Sequence, residues 1–482
     1  MFRTILTILV LKYSTLREVW TPKVFLGIVV ILILYLGKVH EYINYPPFST
    51  HAWRQADSAA QHYNFYDSEL PPWKPKVFNQ SGKGGFVISE LPILYWASAQ
   101  WSKLVGFQDG WIRGLHLIIF LIGLWYLYLM CKLLIKSHWL STLPSIFFLA
   151  SPVVLYYAYN FLPNMPSIGM VLIAWYFYIK HVQSPTPESK NLYLSTFWFL
   201  FATLLKPSEG LHFIAASGTE TFLVLGSYLK KKSSPILKSI TQLGLQQLIF
   251  FPLFFGYLYY VKEFNALYGN EANLQGIIPI WEMSTDYITN TTQNLFFRHR
   301  RNFMEDGYMW ILCGFFVTWI INPKTWRDYF TIPVILMLLG TIGYTLLFYA
   351  AFYIHDYYML TLTPVLVFVS IGWLRSYGEW LTKPNVKYVT AIFSIALIVF
   401  SLSYIPRKLN DRYSFEDSNL PSLDVINLGK AINAAGVADS AKFVVFPDIT
   451  PNVSLYYLKR PGWSEYMMFG SLTNPDKYNQ FD

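Results

Sequence analysis

Charged side chains are scarce in this sequence. Asp, Glu, Lys and Arg make up 13% of its 482 residues, whereas a soluble protein of this length carries about a quarter. Hydrophobic residues make up 54% and aromatic residues 19%, and the mean hydropathy is +0.33. The apolar residues form repeated stretches of roughly 17–25, each long enough to cross about 30 Å of hydrocarbon. This composition excludes one large soluble core and predicts an integral membrane protein.

Cysteine and phosphate-loop motifs are also lacking. The two cysteines, Cys131 and Cys313, lie inside apolar stretches, which excludes a disulfide framework or a zinc-cysteine site. Residues 81–85 (SGKGG) fail as a phosphate-binding loop, because Val77 takes the place of a required glycine and Gly84 that of a Ser or Thr. They predict a mobile loop that closes over a substrate. The sequence has no internal repeat, which argues against a transporter built from inverted repeats.

The apolar stretches predict about eleven membrane-spanning helices, with boundaries good to a few residues. The fifth is the shortest and ends at Pro207. The N-terminal segment lacks a signal-peptide cleavage site and is predicted to be a cytoplasmic amphipathic segment. The predicted spans cover residues 24–38, 115–135, 139–156, 163–180, 197–206, 211–229, 245–261, 308–321, 330–352, 357–373 and 388–404.

Lysines and arginines orient these helices, because cytoplasmic connections are enriched in both. Every alternate connection is basic, from Lys12, Arg17 and Lys23 before the first span to Lys383 and Lys387 before the last. The N-terminus is therefore predicted to be cytoplasmic. The chain from about residue 407 is predicted to lie outside.

Two domains are expected. Residues 1–405 form an all-α transmembrane module, with a first outer loop at 40–114 and a second at 262–306. Residues 406–482 form a small extracytoplasmic α/β domain, with a helix at 424–434, a strand at 443–446 and a helix after Pro451. Connections longer than about 12–15 residues, such as the two outer loops, are usually functional.

The first outer loop contains the segment HAWRQADSAAQ, which reads as an amphipathic helix at the membrane surface. Arg54 and Asp57 share its polar face. Asp57 could act as a general base that deprotonates an acceptor hydroxyl. The alternative is an ordinary Arg54–Asp57 pair at i, i+3 on a solvated face.

Two further ionisable residues lie at the ends of apolar stretches. Glu90 precedes the stretch LPILYW, in the first turn of a predicted helix, where it could simply complement the helix dipole. Lys206 lies at the outer end of the fifth span. It could snorkel to the interface, but its position also suggests an anionic ligand.

Two motifs remain on the outer side. Residues 298–301 (RHRR) form a basic cluster where basic residues are not expected. Either one span is miscounted or Arg298, Arg300 and Arg301 bind phosphate, for which the planar guanidinium is well suited. The motif His355-Asp356-Tyr357-Tyr358 lies at a membrane boundary, where ionisable groups are functional by default. The alternative is that Asp356 caps a helix.

Taken together, these segments resemble the GT-C superfamily of polytopic glycosyltransferases, in the branch related to protein O-mannosyltransferases and the lipid A aminoarabinose transferase. The resembling stretches occur in order over nearly the whole chain. They are HAWRQADSAAQHYNFY, SELPILYW, SPVVLYYAYNFLPNMPS, LLKPSE, IHDYYMLTLTPVL and SLYYLKRPGW.

The resemblance implies a role for each candidate residue. Asp57 would be the catalytic base or a metal ligand. Lys206, Arg54 and the arginines of 298–301 would hold the phosphate of a polyprenyl-phosphate donor. The donor sugar would be bordered by His355, Asp356, Tyr358 and Asn164. Relatives often have an acidic residue where this chain has Asn164, so a second catalytic carboxylate would have to come from Glu90 or Asp356. The resemblance leaves open whether a divalent metal ion is a cofactor. Its candidate ligands are Asp57, Glu90 and His355.

The predicted function is therefore an inverting transfer of one sugar from a polyprenyl-phosphate donor to a hydroxyl of a glycan, lipid or protein. It would take place on the outer face of a bacterial inner membrane, among membrane lipids and without a nucleic-acid partner. Two alternatives stay open: a transporter or flippase of a lipid-linked saccharide, and a ligase that acts on whole glycans.

Overall fold

The computed structural model describes residues 21–184, 189–229, 236–269, 277–414 and 421–465. Helices dominate this part of the chain, and the predicted all-α membrane architecture is confirmed at that level. The α-helices are α1 Thr21–Leu36, α2 Val39–Tyr42, α3 Ala52–Asp67, α4 Ile93–Val105, α5 Gly110–Leu134, α6 Leu143–Leu149, α7 Pro152–Ala158, α8 Asn164–Gln183, α9 Ser189–Leu205, α10 Gly210–Leu229, α11 Ile236–Tyr268, α12 Thr285–Gln293, α13 Arg300–Phe303, α14 Asp306–Ile321, α15 Thr331–Leu347, α16 Thr363–Leu381, α17 Lys387–Tyr413, α18 Val425–Ala434 and α19 Val453–Leu458.

Fewer helices than predicted are long and apolar enough to cross a membrane alone. Within the described residues there are four, or up to six if each bent pair counts as one span. One bent pair is Leu140–Leu149 with Pro152–Ala158, at 73°. The other is Thr285–Phe303 with Asp306–Ile321, at 96°. The predicted third span is thus a broken helix, because Pro152 begins a new helix after Ser151.

Close packing holds the centre of the membrane module together. Helix α8 lies against both α5 and α9. At Gly123 of α5 a Cβ atom would lie 2.4 Å from the Cα of Gly169 of α8. Only glycine fits at such a crossing, and small residues allow membrane helices to approach closely. The indole of Trp175, also on α8, is fully buried in this core.

The two predicted outer loops contain regular structure. The first loop holds α2, α3 and α4. The second holds α12, a π-helical turn at Asn294–His299 and α13. Helix α11 extends to Tyr268, beyond the predicted end of the seventh span at 261.

The predicted boundary between residues 405 and 406 falls inside α17, which continues to Tyr413. The last predicted span ends at residue 404, whereas this helix continues through Pro406. A proline removes one backbone hydrogen bond and kinks or breaks a helix, and here the helix continues beyond it. The last two turns of α17 lie at the candidate site, where Arg412 is buried.

The C-terminal segment has the predicted helices and strand. Strands β1 (Phe443–Val445) and β2 (Gly462–Ser464) pair in parallel, with Phe443 opposite Gly462. Helix α18 packs on α19. The segment also joins the first outer loop, because the Gly462 amide donates to the Phe78 carbonyl at 3.0 Å and the Gln80 amide donates to the Gly462 carbonyl at 2.8 Å. Residues 466–482 of the predicted α/β domain lie outside the described residues.

Candidate active site

Helix α3 carries the first part of the site. Its alanines at 52, 56, 59 and 60 are buried to 1% exposure or less, and the helix packs against α4. Arg54 and Asp57 project from the rest of the helix and are partly buried. The predicted helix with these two residues on its polar side is present.

The Arg54 guanidinium binds Glu90. Its Nη2 lies 2.6 Å from both carboxylate oxygens, and Ser89 and Tyr95 also donate to Glu90 at 2.6 Å. Burial by itself would raise the pKa of Glu90, but the Arg54 charge and these hydrogen bonds hold that pKa below its usual value. Helix α4 begins at Ile93, so the expected placement of Glu90 in its first turn is wrong. Glu90 instead lies before the helix, because Pro92 is the N-cap residue.

Asp57 has a different partner. Its Oδ1 accepts a hydrogen bond of 2.6 Å from Nδ2 of Asn452, in the C-terminal segment. Burial raises the pKa of Asp57 to about 6, while Arg54 and Asn452 act in the opposite direction. A carboxylate with a pKa near neutrality is suited to general base catalysis.

Lys206 reaches the same region from the turn between α9 and α10. Its Nζ lies 4.9 Å from the ring centroid of Tyr358 and 5.8 Å from that of Tyr357. Tyr357 is also near Asp57 and Arg54, whose charges act on its hydroxyl. The structure therefore brings together the predicted residues of the first loop, Lys206 and Tyr358.

Histidines line the neighbouring wall of the site. The His355 ring lies 5.7 Å from Trp53 and 5.5 Å from His51, between ring centroids. Burial lowers the pKa of His355 to about 3, and the nearby His51 adds to this. His355 is therefore a neutral ring at physiological pH, which favours contact with a sugar over contact with an anion.

Asp356 is part of a buried ion pair. Its Oδ2 accepts from Nη1 of Arg412 at 2.8 Å. Its Oδ1 accepts from the Tyr157 hydroxyl at 2.6 Å and lies 3.2 Å from Nε2 of His51. The side chain makes no cap for the helical turn that it begins, so the capping alternative is wrong. These contacts join the end of α17 to α7 and to the start of α3.

Two other predicted groups lie beside the cluster. Asn164 is buried, with Nδ2 3.4 Å from the Tyr357 carbonyl, so it supports the backbone of the site. Arg300 pairs with Asp306 at 3.1 Å, and Arg298 and Arg301 are exposed. Within the described chain, no hydrogen bond or ion pair joins these arginines to Arg54 or Lys206.

The candidate metal ligands do not converge. The described residues contain no group of three or more His, Cys, Asp or Glu side chains that could hold a metal ion. Asp57 is bound by Asn452, and Glu90 is surrounded by three donors. This donor set does not fit a divalent ion, and we derive no step through one.

Several residues of the site escaped prediction. Tyr157 and Arg412 were not candidates, and Asn452 was outside every motif, although Tyr157 lies in the stretch SPVVLYYAYN. Below Lys206, Glu209 is fully buried and accepts from Thr361 at 2.8 Å. Glu209 lies in the stretch LLKPSE, between the fifth and sixth predicted spans, and was not named as a candidate.

Comparisons with known proteins concern the sequence and the fold of this chain. Residues 89–260 match the family model described as dolichyl-phosphate-mannose-protein mannosyltransferase. ArnT from Cupriavidus metallidurans, bound to undecaprenyl phosphate, superposes with a TM-score of 0.54 at 13% identity, over 94% of this chain and 88% of that one. The family match covers less than half of the chain, and the likeness to ArnT shows a shared fold. No curated protein sequence matches the chain.

Two other solved structures share the fold of this chain. The oligosaccharyltransferase AglB from Archaeoglobus fulgidus, in complex with an inhibitory peptide and a dolichol-phosphate, gives a TM-score of 0.55 at 10% identity, over 94% of this chain and 65% of that one. The arabinofuranosyltransferase AftD from Mycobacteria gives 0.50 at 14% identity, over 91% and 31%. At these identities the likeness concerns the fold.

Proposed function

We propose that this protein is a GT-C glycosyltransferase that transfers a single sugar from a polyprenyl-phosphate donor to an acceptor hydroxyl, with inversion at the anomeric carbon. The acceptor is a glycan, a lipid or a protein. The reaction takes place on the extracytoplasmic face of a bacterial inner membrane, with a cytoplasmic N-terminus. No nucleic acid and no nucleotide sugar take part.

The observation that carries the proposal is the partly buried Asp57 carboxylate beside Arg54 and near Tyr357, over which Lys206 lies. Asp57 takes the proton of the acceptor hydroxyl, and the acceptor oxygen bonds to the anomeric carbon. The bond from that carbon to the phosphate oxygen breaks on the opposite side. The lipid phosphate leaves with the electron pair, so protons and charge balance.

The departing phosphate requires positive charge more than it requires a proton. Lys206 supplies an ammonium, and its Nζ has no hydrogen bond to any described residue. Arg54 is held in place by Glu90, and among the described residues its Nη1 binds only the Ser58 hydroxyl, at 3.2 Å. Glu90 thus acts by fixing Arg54, and His355 with Tyr358 borders the sugar.

An apolar cavity supports a lipid-linked donor. It encloses about 240 Å³ between α6, α14, α16 and α17, away from Asp57, and its lining includes Leu312, Val367 and Phe393. Its wall also contains Phe303 and Met304, which are separated from the basic cluster 298–301 by Asn302. Isoprenoid units fit such a lining.

The ligands of the similar structures favour the same donor class. One ArnT structure is bound to undecaprenyl phosphate, and one AglB structure contains a dolichol-phosphate. Both compounds are polyprenyl phosphates. For this chain we adopt the shared chemistry, a phosphate on a long isoprenoid chain.

The test is incubation of purified protein with a panel of radiolabelled polyprenyl-phosphate sugars, and measurement of label that leaves the lipid. Wild-type protein should release label, and Asp57→Asn should reduce kcat at least about 100-fold. Asp67→Asn, an exposed aspartate at the other end of α3, is the matched control and should behave as wild type.

Three results would contradict the proposal. One is full activity of Asp57→Asn, which would show that Asp57 is not the general base. Another is transfer from nucleotide sugars but from no lipid donor. The third is movement of intact labelled lipid across a liposome bilayer without loss of its sugar, which would favour the flippase alternative.

A further inference from the structure

The C-terminal segment contributes a side chain to the candidate active site. Asn452 is 2% exposed, and its amide nitrogen lies 2.6 Å from Oδ1 of Asp57 across 395 residues of sequence. Among the described residues, no hydrogen bond involves Oδ2 of Asp57. The contact therefore occupies one oxygen of the predicted base and leaves the other to take a proton.

The orientation of the Asn452 amide is fixed by a second bond. The backbone amide of Asn79 donates to Oδ1 of Asn452 at 2.8 Å. A backbone N–H can only donate, so the carbonyl oxygen of the Asn452 side chain must face Asn79 and its NH2 group must face Asp57. The reverse orientation would set two donors against each other.

A capped turn holds the backbone at Asn452. Oδ1 of Asp448 accepts from the amide and the hydroxyl of Thr450, at 2.7 and 2.6 Å. Oδ2 of Asp448 accepts from the Ser454 amide at 3.0 Å. Asp448, Thr450 and Ser454 are all nearly inaccessible. Rigid support of this kind is what a residue needs in order to orient another side chain.

This turn packs against the first outer loop. The Tyr457 hydroxyl donates to the Pro47 carbonyl, and Nζ of Lys459 lies 4.6 Å from the ring centroid of Tyr63 on α3. Together with the Gly462 pairing to residues 78–80, these contacts join the segment to the first outer loop both before and after α3. Besides Asn452, three groups act on Asp57 or lie near it: Arg54, Glu90 and Tyr357.

We propose that Asn452 is a positioning residue that orients the Asp57 carboxylate for proton abstraction, so that the C-terminal segment completes the active site. This inference rests on the proposed function. It predicts that loss of the Asn452 amide lowers kcat and leaves donor binding intact, because the side chain binds Asp57 and Asn79 and, among the described residues, makes no hydrogen bond to Arg54, Lys206 or His355.

The test compares Asn452→Ala and Asn452→Asp with Ser454→Ala, using labelled polyprenyl-phosphate sugars and thermal melting in detergent. The aspartate variant keeps the shape of the side chain, but once ionised it cannot donate. Both Asn452 variants should lower kcat about 10- to 100-fold, since misplacement of a reacting group by about 1 Å costs up to that much. KM for the donor should stay within about twofold. Ser454→Ala removes a buried hydroxyl without a partner in the described chain and should match wild type.

A double variant covers the case in which the single variants fail to fold. Asp57→Asn with Asn452→Asp exchanges the two groups and keeps one amide-to-carboxylate hydrogen bond. It should regain the melting temperature of wild type while remaining inactive. If it stays unfolded as well, the direct contact between the two residues is not what matters, and the proposal is overturned.

Failure of the inference and failure of the proposed function give different results. Wild-type kcat in Asn452→Ala, beside an inactive Asp57→Asn, overturns the positioning role alone. A rise in KM with unchanged kcat also overturns it, because Asn452 would then serve donor binding. A wild-type protein that releases no label, or an active Asp57→Asn, instead overturns the function.

Discussion

Arg54 and Glu90, 36 residues apart in sequence, form a close ion pair in which one guanidinium nitrogen contacts both carboxylate oxygens. The pair has a consequence for Asp57, three residues along the same helix. Because the Arg54 guanidinium binds Glu90, the hydrogen bond to Asp57 comes from the neutral amide of Asn452 instead. Its charge is less stabilised than in a direct pair with arginine, and its pKa is raised by burial.

Glu90→Gln should destabilise the protein. The change leaves the Arg54 guanidinium without its counter-charge. Breaking a buried pair costs about 3–5 kcal/mol, and the lower end applies because the Arg54 side chain is still 21% exposed. A fall in the thermal melting temperature measures this effect. The control is Glu379→Gln, which breaks the exposed pair with Lys136 and should leave the melting temperature unchanged. Equal melting temperatures for both variants would refute the prediction.

The activity should depend on pH through Asp57. A general base must be ionised, and burial raises the pKa of Asp57 to about 6. Since its pKa is raised, the protonated and inactive form accumulates as the pH falls through about 6. The rate constant kcat should therefore be constant above about pH 7 and decline below about 6, in a profile measured with saturating donor. An acid limb near pH 4, the ordinary value for an aspartate, would show that another group controls the rate.

Lys206→Met should impair use of the donor. Methionine keeps most of the apolar length of lysine and its packing beside Tyr358, but it removes the ammonium that faces the phosphate. We expect KM for the lipid donor to rise about tenfold or more and kcat to fall, because the lost charge acts on both bound donor and departing phosphate. Lys103→Met, at an exposed position of α4, is the control and should leave both constants unchanged. Unchanged constants in Lys206→Met would place the phosphate elsewhere.

Leu312→Trp should discriminate between donors of different chain length. The indole would partly fill the apolar cavity next to α14. KM should rise for long-chain donors and remain close to wild type for analogues with one or two isoprenoid units. Leu339→Trp, on an exposed face of α15, is the matched control and should change neither value. An equal effect on short and long donors would mean that the cavity does not hold the isoprenoid chain.

Membrane embedding could be read from composition, but the number of spans could not. Hydropathy reports how apolar a stretch is, whereas continuity depends on how each segment packs. The stretch 139–156 is apolar throughout, yet it bends by 73° between α6 and α7. In the opposite sense, the last predicted span ends at residue 404, and α17 continues through Pro406 to Tyr413. Neither outcome is encoded within a window of neighbouring residues.

The sequence named several of the residues that the structure brings together, but it did not indicate which of them pair. Arg54 and Asp57 were the obvious pair at i, i+3, but each prefers a partner that is distant in sequence. Asp356 was expected to cap a helix or border a sugar, and it pairs with Arg412. Sequence spacing predicts local pairs only, and a buried charge selects the partner that best replaces its lost hydration.

The sequence by itself determined that this is a membrane protein, that its ionisable residues gather at the connections between apolar stretches, and that its motifs resemble those of GT-C enzymes. These properties follow from composition and local order, which do not change when the chain folds. Only the tertiary structure decided which charges face each other, because helices far apart in sequence bring α3, α17 and the C-terminal segment to one place. Asn452 shows the difference most clearly, since an ordinary polar residue in a tail acquires a role only when folding sets it against Asp57.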